Sequence, residues 1–290
     1  MLTLVIKIAL IAAILYALIL FGAVVVQRKL MYFPARERVE PSRIGLAAVE
    51  ERVISTPDGA RVIAWYGKAQ PGQPTILYFH GNGGSLITRQ ERIRKYLDRG
   101  RGILMMTYRG YGGSTGTPSE KANVADARLA YDLLRKDGIA PADIIIYGES
   151  LGSGVAVQVA AVRDCAGLVL DAPYTSVVDV GSLAYPFLPV DLLLTDRYET
   201  MRYIGGVRVP LLVIHGERDT VIPVEMGRAV HAAANEPKTL VTFRQAGHSD
   251  HHQHGSFEAV NDWIDRLKGM AQGDSADEGR SEQDRRRGAK

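Results

Sequence analysis

The sequence predicts an α/β protein in which a mostly parallel, eight-stranded sheet carries helices on both faces and follows one membrane-spanning helix. Eight short runs of apolar and β-branched residues recur between residues 52 and 243, and longer helical patterns separate them from the third run onward. Strands that alternate with helices form βαβ units, whose strands run parallel. A long uncharged segment near the amino terminus predicts the membrane span.

The composition is that of an ordinary folded protein. Hydrophobic residues make up 46% of the 290 residues and charged residues 23%. These values exclude wholesale disorder and collagen-like or disulfide-scaffold classes. The formal net charge is only +3, which argues against nucleic acid as a partner. The single cysteine, Cys165, cannot form an internal disulfide bond, so it does not indicate the redox compartment.

The first predicted element is the uncharged segment 8–26. As a helix it measures about 28 Å, close to the roughly 30 Å hydrocarbon thickness of a bilayer. The residues behind it lack a small-residue cleavage pattern, so we interpret residues 1–29 as an uncleaved anchor and not as a secretory signal. More basic residues follow the span than precede it, which predicts a body on the cytoplasmic side. These basic residues are Lys7 before the span and Arg28, Lys29, Arg36, Arg38 and Arg43 after it.

Residues 30–48 are predicted to be a linker, and residues 49–269 to form the α/β domain. The turn Pro57-Asp58-Gly59 should join the first two strands as an antiparallel hairpin at one edge, because its glycine supplies a positive φ. The predicted strands cover residues 52–56, 61–66, 75–79, 102–108, 143–147, 167–170, 209–214 and 238–243. The predicted helices cover residues 88–99, 119–136, 150–162, 223–235 and 253–268.

Two segments carry no strand of the predicted sheet. Residues 172–207 leave room for a short helical cap but for no large lid domain, and their apolar stretch 185–194 has three possible uses. It could line an acyl-chain site, touch the membrane, or pack the cap against the sheet. Residues 270–290 are predicted to be a disordered tail, because from Ala271 onward alanine is the only apolar residue type.

The strongest local motif is Gly148-Glu149-Ser150-Leu151-Gly152, which follows the fifth predicted strand and opens a helix. This order of strand, sharp turn and helix is typical of a nucleophile elbow, which lifts a serine into a cleft. Both glycines should be required, because side chains there would collide with neighbouring backbone. Ser150 is therefore the predicted nucleophile, in preference to a serine that only caps the helix.

A serine hydroxyl needs a base that removes its proton. His248 lies in the loop directly after the last predicted strand, so it should reach the same edge of the sheet as Ser150. The nearby histidines are not expected to bind a metal ion, because no cysteine accompanies them and they lie too close in sequence to converge readily on one ion. These histidines are His251, His252 and His254.

The histidine in turn needs an acid that holds its tautomer and stabilises its cationic form. Asp219 lies in the loop after the seventh predicted strand and gives the chain order Ser, Asp, His. Asp171, at the end of the sixth strand, is the rival acid. We favour Asp219 because its loop fits that order.

Acyl transfer develops negative charge on the carbonyl oxygen of the substrate, which preorganised donors must meet. One donor should be the backbone N–H of Leu151, immediately after the nucleophile. The second should come from the loop His80-Gly81-Asn82-Gly83, where small residues allow close approach of the backbone. Asn82 is the preferred donor and Gly83 is the alternative.

These motifs, together with Tyr108-Arg109-Gly110-Tyr111-Gly112 and His215-Gly216-Glu217-Arg218-Asp219, resemble the α/β-hydrolase superfamily. The chain is most similar to its membrane-anchored ABHD-type or Bem-type branch, in which a hydrophobic helix runs into a segment similar to Leu30-Met31-Tyr32-Phe33-Pro34. The resemblance covers roughly residues 30–267. It implies an eight-stranded serine hydrolase fold, a triad of Ser150, Asp219 and His248, and action on acyl esters or thioesters. Thr107 stands where relatives often carry an acidic or amide residue.

The sequence therefore predicts a membrane-anchored serine hydrolase that cleaves an ester or thioester through an acyl-enzyme, without a metal ion or another cofactor. The expected partners are a small-molecule or lipidic acyl substrate and the membrane. Two alternatives stay open: a serine peptidase of the same fold, and a membrane-bound scaffold without catalytic activity.

Overall fold

The computed structural model describes residues 2–269. The tail predicted for residues 270–290 lies outside the described residues. The first element is helix α1 (Leu2–Met31), which extends beyond the uncharged segment at both ends. At 1.5 Å per residue its 30 residues measure about 45 Å. Its most apolar stretch of 18 residues contains no buried residue, and α1 is long and apolar enough to cross a membrane.

A single eight-stranded sheet forms the centre of the domain, in the order β10-β9-β8-β7-β4-β6-β3-β2, and a separate two-stranded pair joins β1 to β5. Strand β3 runs antiparallel to its neighbours β2 and β6, and the other neighbours run parallel. The predicted fold class is thereby confirmed. The strands are β1 (Phe33–Pro34), β2 (Val49–Ser55), β3 (Arg61–Gly67), β4 (Thr75–Phe79), β5 (Gly83–Gly84), β6 (Gly102–Met106), β7 (Ile144–Glu149), β8 (Gly167–Asp171), β9 (Leu211–Gly216) and β10 (Lys238–Phe243).

Helices cover both faces of this sheet, and three short ones form the cap between β8 and β9. The helices after α1 are α2 (Gln90–Asp98), α3 (Glu120–Lys136), α4 (Leu151–Ala160), α5 (Val177–Ala184), α6 (Val190–Leu193), α7 (Thr200–Tyr203), α8 (Val224–Ala233) and α9 (residues 256–269). Helix α2 begins later than predicted, because a 3₁₀ turn occupies Leu86–Arg89. The cap comprises α5, α6 and α7.

The strand sequences explain why the sheet is buried on both faces. Alternate residues of a strand point to opposite faces, and in β4 the side chains of Leu77 and Phe79 join one apolar cluster while Ile76 and Tyr78 join the other. The first cluster packs under α3, α4 and α8, and the second under α2 and α9. A parallel strand covered on both sides needs the continuous apolar run that the sequence shows.

The segment predicted as a linker, residues 30–48, packs against the domain. Tyr32 is buried in the first apolar cluster, and β1 pairs with β5 in the loop that follows β4. The hydroxyl of Tyr32 contacts the hydroxyl of Tyr198, which lies between α6 and α7 of the cap, at 2.9 Å. The end of α1 is therefore held close to the carboxyl edge of the sheet, where the predicted site lies.

The motif around Arg109 has a structural use. Its guanidinium donates to the carboxylate of Asp126 in α3 at 2.8 Å and to that of Asp58 in the β2–β3 turn at 2.6 Å. Asp126 is buried, so the positive charge of Arg109 offsets the cost of removing that carboxylate from water. The hydroxyl of Thr107 donates to the carbonyl of Ile63 at 3.1 Å, which joins the end of β6 to β3.

Candidate active site

The turn between β7 and α4 holds Ser150 in a backbone conformation that few non-glycine residues adopt, with φ 51° and ψ −118°. The neighbouring glycines allow this turn. A β-carbon on Gly148 would collide with the carbonyl of Gly152, and one on Gly152 would collide with the carbonyl of Phe79. The N–H of Ser150 donates to the carbonyl of Asp171 at 2.8 Å. This is the strained strand-to-helix geometry of a nucleophile elbow.

The structure brings Ser150, His248 and Asp219 together in one hydrogen-bonded chain. The Oγ of Ser150 lies 2.9 Å from Nε2 of His248, and Nδ1 of His248 lies 2.7 Å from Oδ2 of Asp219. The other carboxylate oxygen of Asp219 accepts from the N–H groups of Val221 and Ile222, both at 2.8 Å. Both carboxylate oxygens are therefore satisfied, and the carboxylate has a fixed orientation toward the imidazole.

The surroundings of Asp219 keep its carboxyl group ionised. Burial raises the pKa of Asp219. Hydrogen bonds with His215 and His248 lower this pKa by a larger amount, so it lies below its usual value. The side chain of Asp219 is fully buried while that of His248 is 19% exposed. A buried negative charge next to a reachable imidazole is the arrangement that stabilises an imidazolium during proton transfer.

Two backbone N–H groups lie in the segments next to Ser150. In the part of the chain that the structure describes, the N–H of Leu151 and that of Asn82 donate to no protein oxygen. A β-carbon on Gly81 would lie 3.5 Å from Cβ of Ser150, so the loop after β4 passes directly beside the serine. The amino end of α4 adds the positive end of a helix dipole at the same place. This arrangement can receive an oxyanion.

The side chain of Asn82 has another partner, which the sequence did not indicate. Its Nδ2 donates to the carbonyl of Met31, the last residue of α1, at 2.9 Å. Its own carbonyl accepts from the N–H of Phe33 at 3.0 Å and from the hydroxyl of Tyr111 at 2.6 Å. This contact directs the amide side chain toward α1, so the backbone N–H of Asn82 is the candidate for the predicted donor.

Asp171, the rival acid, is engaged by other partners than His248. Its Oδ1 lies 2.8 Å from Nδ1 of His251, and its Oδ2 accepts from the hydroxyl of Tyr147 at 2.8 Å. Burial raises the pKa of Asp171, but His251 and Arg92 lower it below its usual value. Conversely, burial lowers the pKa of His251, and the Asp171 carboxylate raises it above the usual value. A second, buried Asp–His pair thus lies beside the first.

The remaining polar groups near the serine have structural partners. His80 is fully buried against the ring of Tyr108, and burial lowers the pKa of His80 to about 3, which keeps it neutral. Glu149 accepts from the hydroxyl of Tyr78 at 2.6 Å and lies 3.3 Å from Arg92. Burial raises the pKa of Glu149, but Arg92 and Arg89 outweigh burial and hold this pKa at about 2. These contacts of Glu149 therefore fix the residue that directly precedes Ser150 in the turn.

The surroundings of the site include two cavities of opposite character. A cavity of about 430 Å³ is lined by Glu149, Ser249 and several charged side chains. A second cavity of about 270 Å³ lies between α1 and the cap, is mainly apolar, and includes Asn82 in its wall. Among residues 2–269, no group of three His, Cys, Asp or Glu side chains is arranged to hold a metal ion.

Comparison with known proteins agrees with this architecture. The profile of the alpha/beta hydrolase fold matches residues 74–198. The chain is 40% identical over 227 residues to the uncharacterized protein Rv2307c of Mycobacterium tuberculosis, a match that covers 77% of this chain and 81% of that protein. The chain belongs to the alpha/beta hydrolase family, and its fold and relatives make it a hydrolase.

Two further similarities concern proteins with described activities. The chain is 32% identical over 206 residues to the lysophosphatidylserine lipase ABHD12 of Danio rerio, covering 62% of this chain and 53% of that protein. The solved structure of the esterase Pf2001 from Pyrococcus furiosus matches with a TM-score of 0.64 at 19% identity, over 82% of this chain and 97% of that one. At this level of identity the esterase structure supports the fold alone.

The buried pair of Asp171 and His251 should support the fold in a pH-dependent way. Breaking a buried ion pair costs about 3–5 kcal/mol, so His251→Gln should lower the free energy of unfolding by an amount of that order near pH 5–6. The charged His251 contributes fully below its unfolded pKa of about 6.5, and this contribution disappears as the pH rises through the raised folded-state pKa. Asp171 contributes fully above about pH 4 and loses its contribution as the pH falls.

Thermal unfolding of the detergent-solubilised protein between pH 5 and pH 9 measures this effect. The difference in Tm between wild type and His251→Gln should therefore shrink toward pH 9. His254→Gln is the control, because His254 is an exposed histidine in the same short segment. A difference in Tm that stays constant across this pH range would contradict the role of the charged pair.

Proposed function

We propose that this hydrolase is a serine hydrolase that transfers the acyl group of an ester or thioester to water. The observation that carries the proposal is the pair of contacts from Ser150 through His248 to Asp219, at 2.9 and 2.7 Å. A hydroxyl next to an imidazole nitrogen, with a carboxylate on the other side of the ring, is the arrangement that activates serine as a nucleophile.

In the first half of the reaction, Nε2 of His248 takes the proton of Ser150 as Oγ bonds to the carbonyl carbon of the substrate. The electron pair of the carbonyl π bond moves onto its oxygen, which becomes an oxyanion. The N–H groups of Leu151 and Asn82 are the proposed donors to that oxyanion. When the tetrahedral intermediate collapses, His248 gives its proton to the departing alcohol or thiol, which leaves an acyl group on Ser150.

In the second half, a water molecule replaces the leaving group. His248 takes a proton from this water, and the water oxygen attacks the acyl carbon. When the bond to Oγ breaks, His248 returns the proton to Ser150 and the carboxylic acid leaves. Asp219 stays ionised throughout and stabilises each imidazolium. Neither half requires an electron donor or a metal ion.

A relative supports esters as the substrate class. It is named a lysophosphatidylserine lipase. A lipase acts on the ester of an apolar acyl group, and the proposed acyl-enzyme forms equally from an ester or a thioester. The peptidase alternative is tested directly by comparing p-nitrophenyl acetate with an aminoacyl p-nitroanilide as substrates.

We further propose that α1 anchors the hydrolase domain to a membrane, with the domain on the cytoplasmic side. The length and apolar character of α1 support anchoring, and the basic residues after its apolar segment support this orientation. An exposed cysteine introduced by Lys136→Cys should react with a membrane-impermeant maleimide only after sealed right-side-out vesicles are permeabilised. Cys165 is buried and should add little background. Labelling without permeabilisation would reverse the proposed orientation.

Replacing the nucleophile tests the proposed chemistry most directly. A fluorophosphonate probe should label the wild type but not Ser150→Ala, because the probe forms a covalent bond with an activated serine. Hydrolysis of p-nitrophenyl acetate by this variant should fall by at least about 10³-fold. Ser153→Ala is the matched control, since it removes a buried hydroxyl from the same helix. Equal labelling of wild type and Ser150→Ala would refute the assignment.

The two aspartates should differ in their effect on the rate. Asp219→Asn should lower kcat by roughly 10⁴-fold, because the amide holds the wrong tautomer of His248. Asp171→Asn should leave kcat much less affected, because its partner is His251, and should mainly lower Tm. Steady-state kinetics with p-nitrophenyl acetate and thermal unfolding of both variants make this comparison. A larger loss of kcat in Asp171→Asn would exchange the two roles.

A further inference from the structure

The apolar cavity of about 270 Å³ has α1 as one wall and the cap as the other. Ala23, Leu30 and Met31 line it from α1, while α5, α6 and the segment between them line it from the cap. None of the lining side chains in the described part of the chain carries a charge. Its volume lies just below the roughly 300–1,000 Å³ of typical ligand pockets, which suits a narrow apolar ligand.

One loop connects this cavity to the nucleophile. Asn82 forms part of the cavity wall, and a β-carbon on the preceding residue, Gly81, would lie 3.5 Å from Cβ of Ser150. The N–H of Asn82 is also the proposed donor to the substrate carbonyl. A carbonyl held there therefore lies at one end of the cavity, and the chain attached to its carbon has an apolar space to occupy.

Polar contacts fix α1 as a wall of this cavity. The N–H of Thr195 donates to Oε1 of Gln27 at 2.8 Å, and Arg28 donates to the carboxylate of Asp196 at 2.9 Å. The side chain of Asp196 is only 5% exposed. These contacts hold the last turns of α1 against the cap, so the two walls of the cavity keep a fixed separation.

The outer surface of the cap points to the membrane as the source of the ligand. Leu183, Phe187 and Leu192 are 61%, 64% and 80% exposed. The hydroxyl of Tyr16 donates to the carbonyl of Phe187 at 2.9 Å, and Tyr16 lies about 18 Å along α1 from Arg28. The tip of the cap, which is the part around Phe187, therefore lies beside the apolar part of α1. A bilayer that accommodates α1 also surrounds this tip, which explains its exposed apolar side chains.

We propose that the cavity between α1 and the cap holds the acyl chain of a membrane lipid, which enters from the bilayer beside the cap tip. This inference rests on the proposed function, because it places the scissile carbonyl of that lipid at Ser150. Helix α1 then both anchors the protein and forms one wall of the substrate site. An acyl chain of a soluble ester is the other possible occupant, and the second experiment below separates the two sources.

Filling the cavity from the α1 side tests the site. Ala23→Phe in the full-length protein should lower kcat/KM for p-nitrophenyl dodecanoate by about tenfold or more, while the value for p-nitrophenyl acetate stays unchanged. Val24→Phe is the matched control: Val24 is the next residue of α1, is 41% exposed and does not line the cavity. This control should hydrolyse both esters like the wild type.

The outcomes separate this inference from the proposed function. A selective loss of dodecanoate hydrolysis in Ala23→Phe supports the acyl site. If kcat/KM falls by the same factor for both esters, or falls for neither, the acyl site is overturned. This holds even when acetate hydrolysis depends on Ser150 as the proposed function requires. Absence of any Ser150-dependent hydrolysis in the wild type refutes the proposed function and this inference together.

Entry from the bilayer is tested with the ester embedded in phosphatidylcholine vesicles that also contain the full-length protein. Phe187→Asp should slow hydrolysis of embedded dodecanoate about tenfold or more, because a charged cap tip is costly to place in hydrocarbon. Val162→Asp is the control, as it changes another exposed apolar residue, 51% exposed, at the carboxyl end of α4. If Phe187→Asp hydrolysed the embedded ester at the wild-type rate, the acyl chain in the cavity would come from a soluble ester. Entry from the bilayer would then be overturned.

Discussion

The whole site depends on the close contact between the amino end of α4 and the end of β4. Gly152 packs so tightly on the carbonyl of Phe79 that a β-carbon would not fit, and this contact sets the position of the turn that holds Ser150. A positive φ at a non-glycine residue costs about 1–3 kcal/mol, so the turn persists only because the buried strands and helix around it leave no alternative. Because the loop of Gly81 continues from the same strand, one contact fixes both the serine and the proposed donor of Asn82.

Two Asp–His pairs meet at the carboxyl edge of the sheet, and their surroundings give them different uses. The imidazole of His248 is partly exposed toward the cleft, whereas His251 is enclosed. Asp171 accepts hydrogen bonds from Tyr147 and pairs with His251, so its charge is neutralised within the core and does not compete with Asp219 for His248. Meanwhile the backbone carbonyl of Asp171 accepts from the N–H of Ser150. The enclosed pair therefore stabilises the strand end on which the elbow rests.

The sequence predicts this molecule well where the signal is local. Thr75–Phe79 and Lys238–Phe243 match their predicted strands residue for residue, because each is a compact apolar or β-branched run between turn signals. Contacts between distant segments left no such signal. The pairing of Asp171 with His251 depends on how the last loop folds back, and the four-residue helix Val190–Leu193 is too short to show a helical period. The strand pair that joins residues 30–48 to the domain has only two residues on each side, too few to show a strand pattern.

Asn82 links α1 to the proposed chemistry. Its side chain donates to the carbonyl of Met31, and its own carbonyl accepts from Phe33 and Tyr111, so three contacts fix the residue whose backbone N–H is the proposed donor. A donor to an oxyanion contributes only when it is held within hydrogen-bond distance before charge develops. Here that preorganisation comes partly from the last turn of α1. Helix α1 thus contributes to the geometry of the proposed site in addition to its proposed role as an anchor, and a tether of another sequence would supply only the anchor.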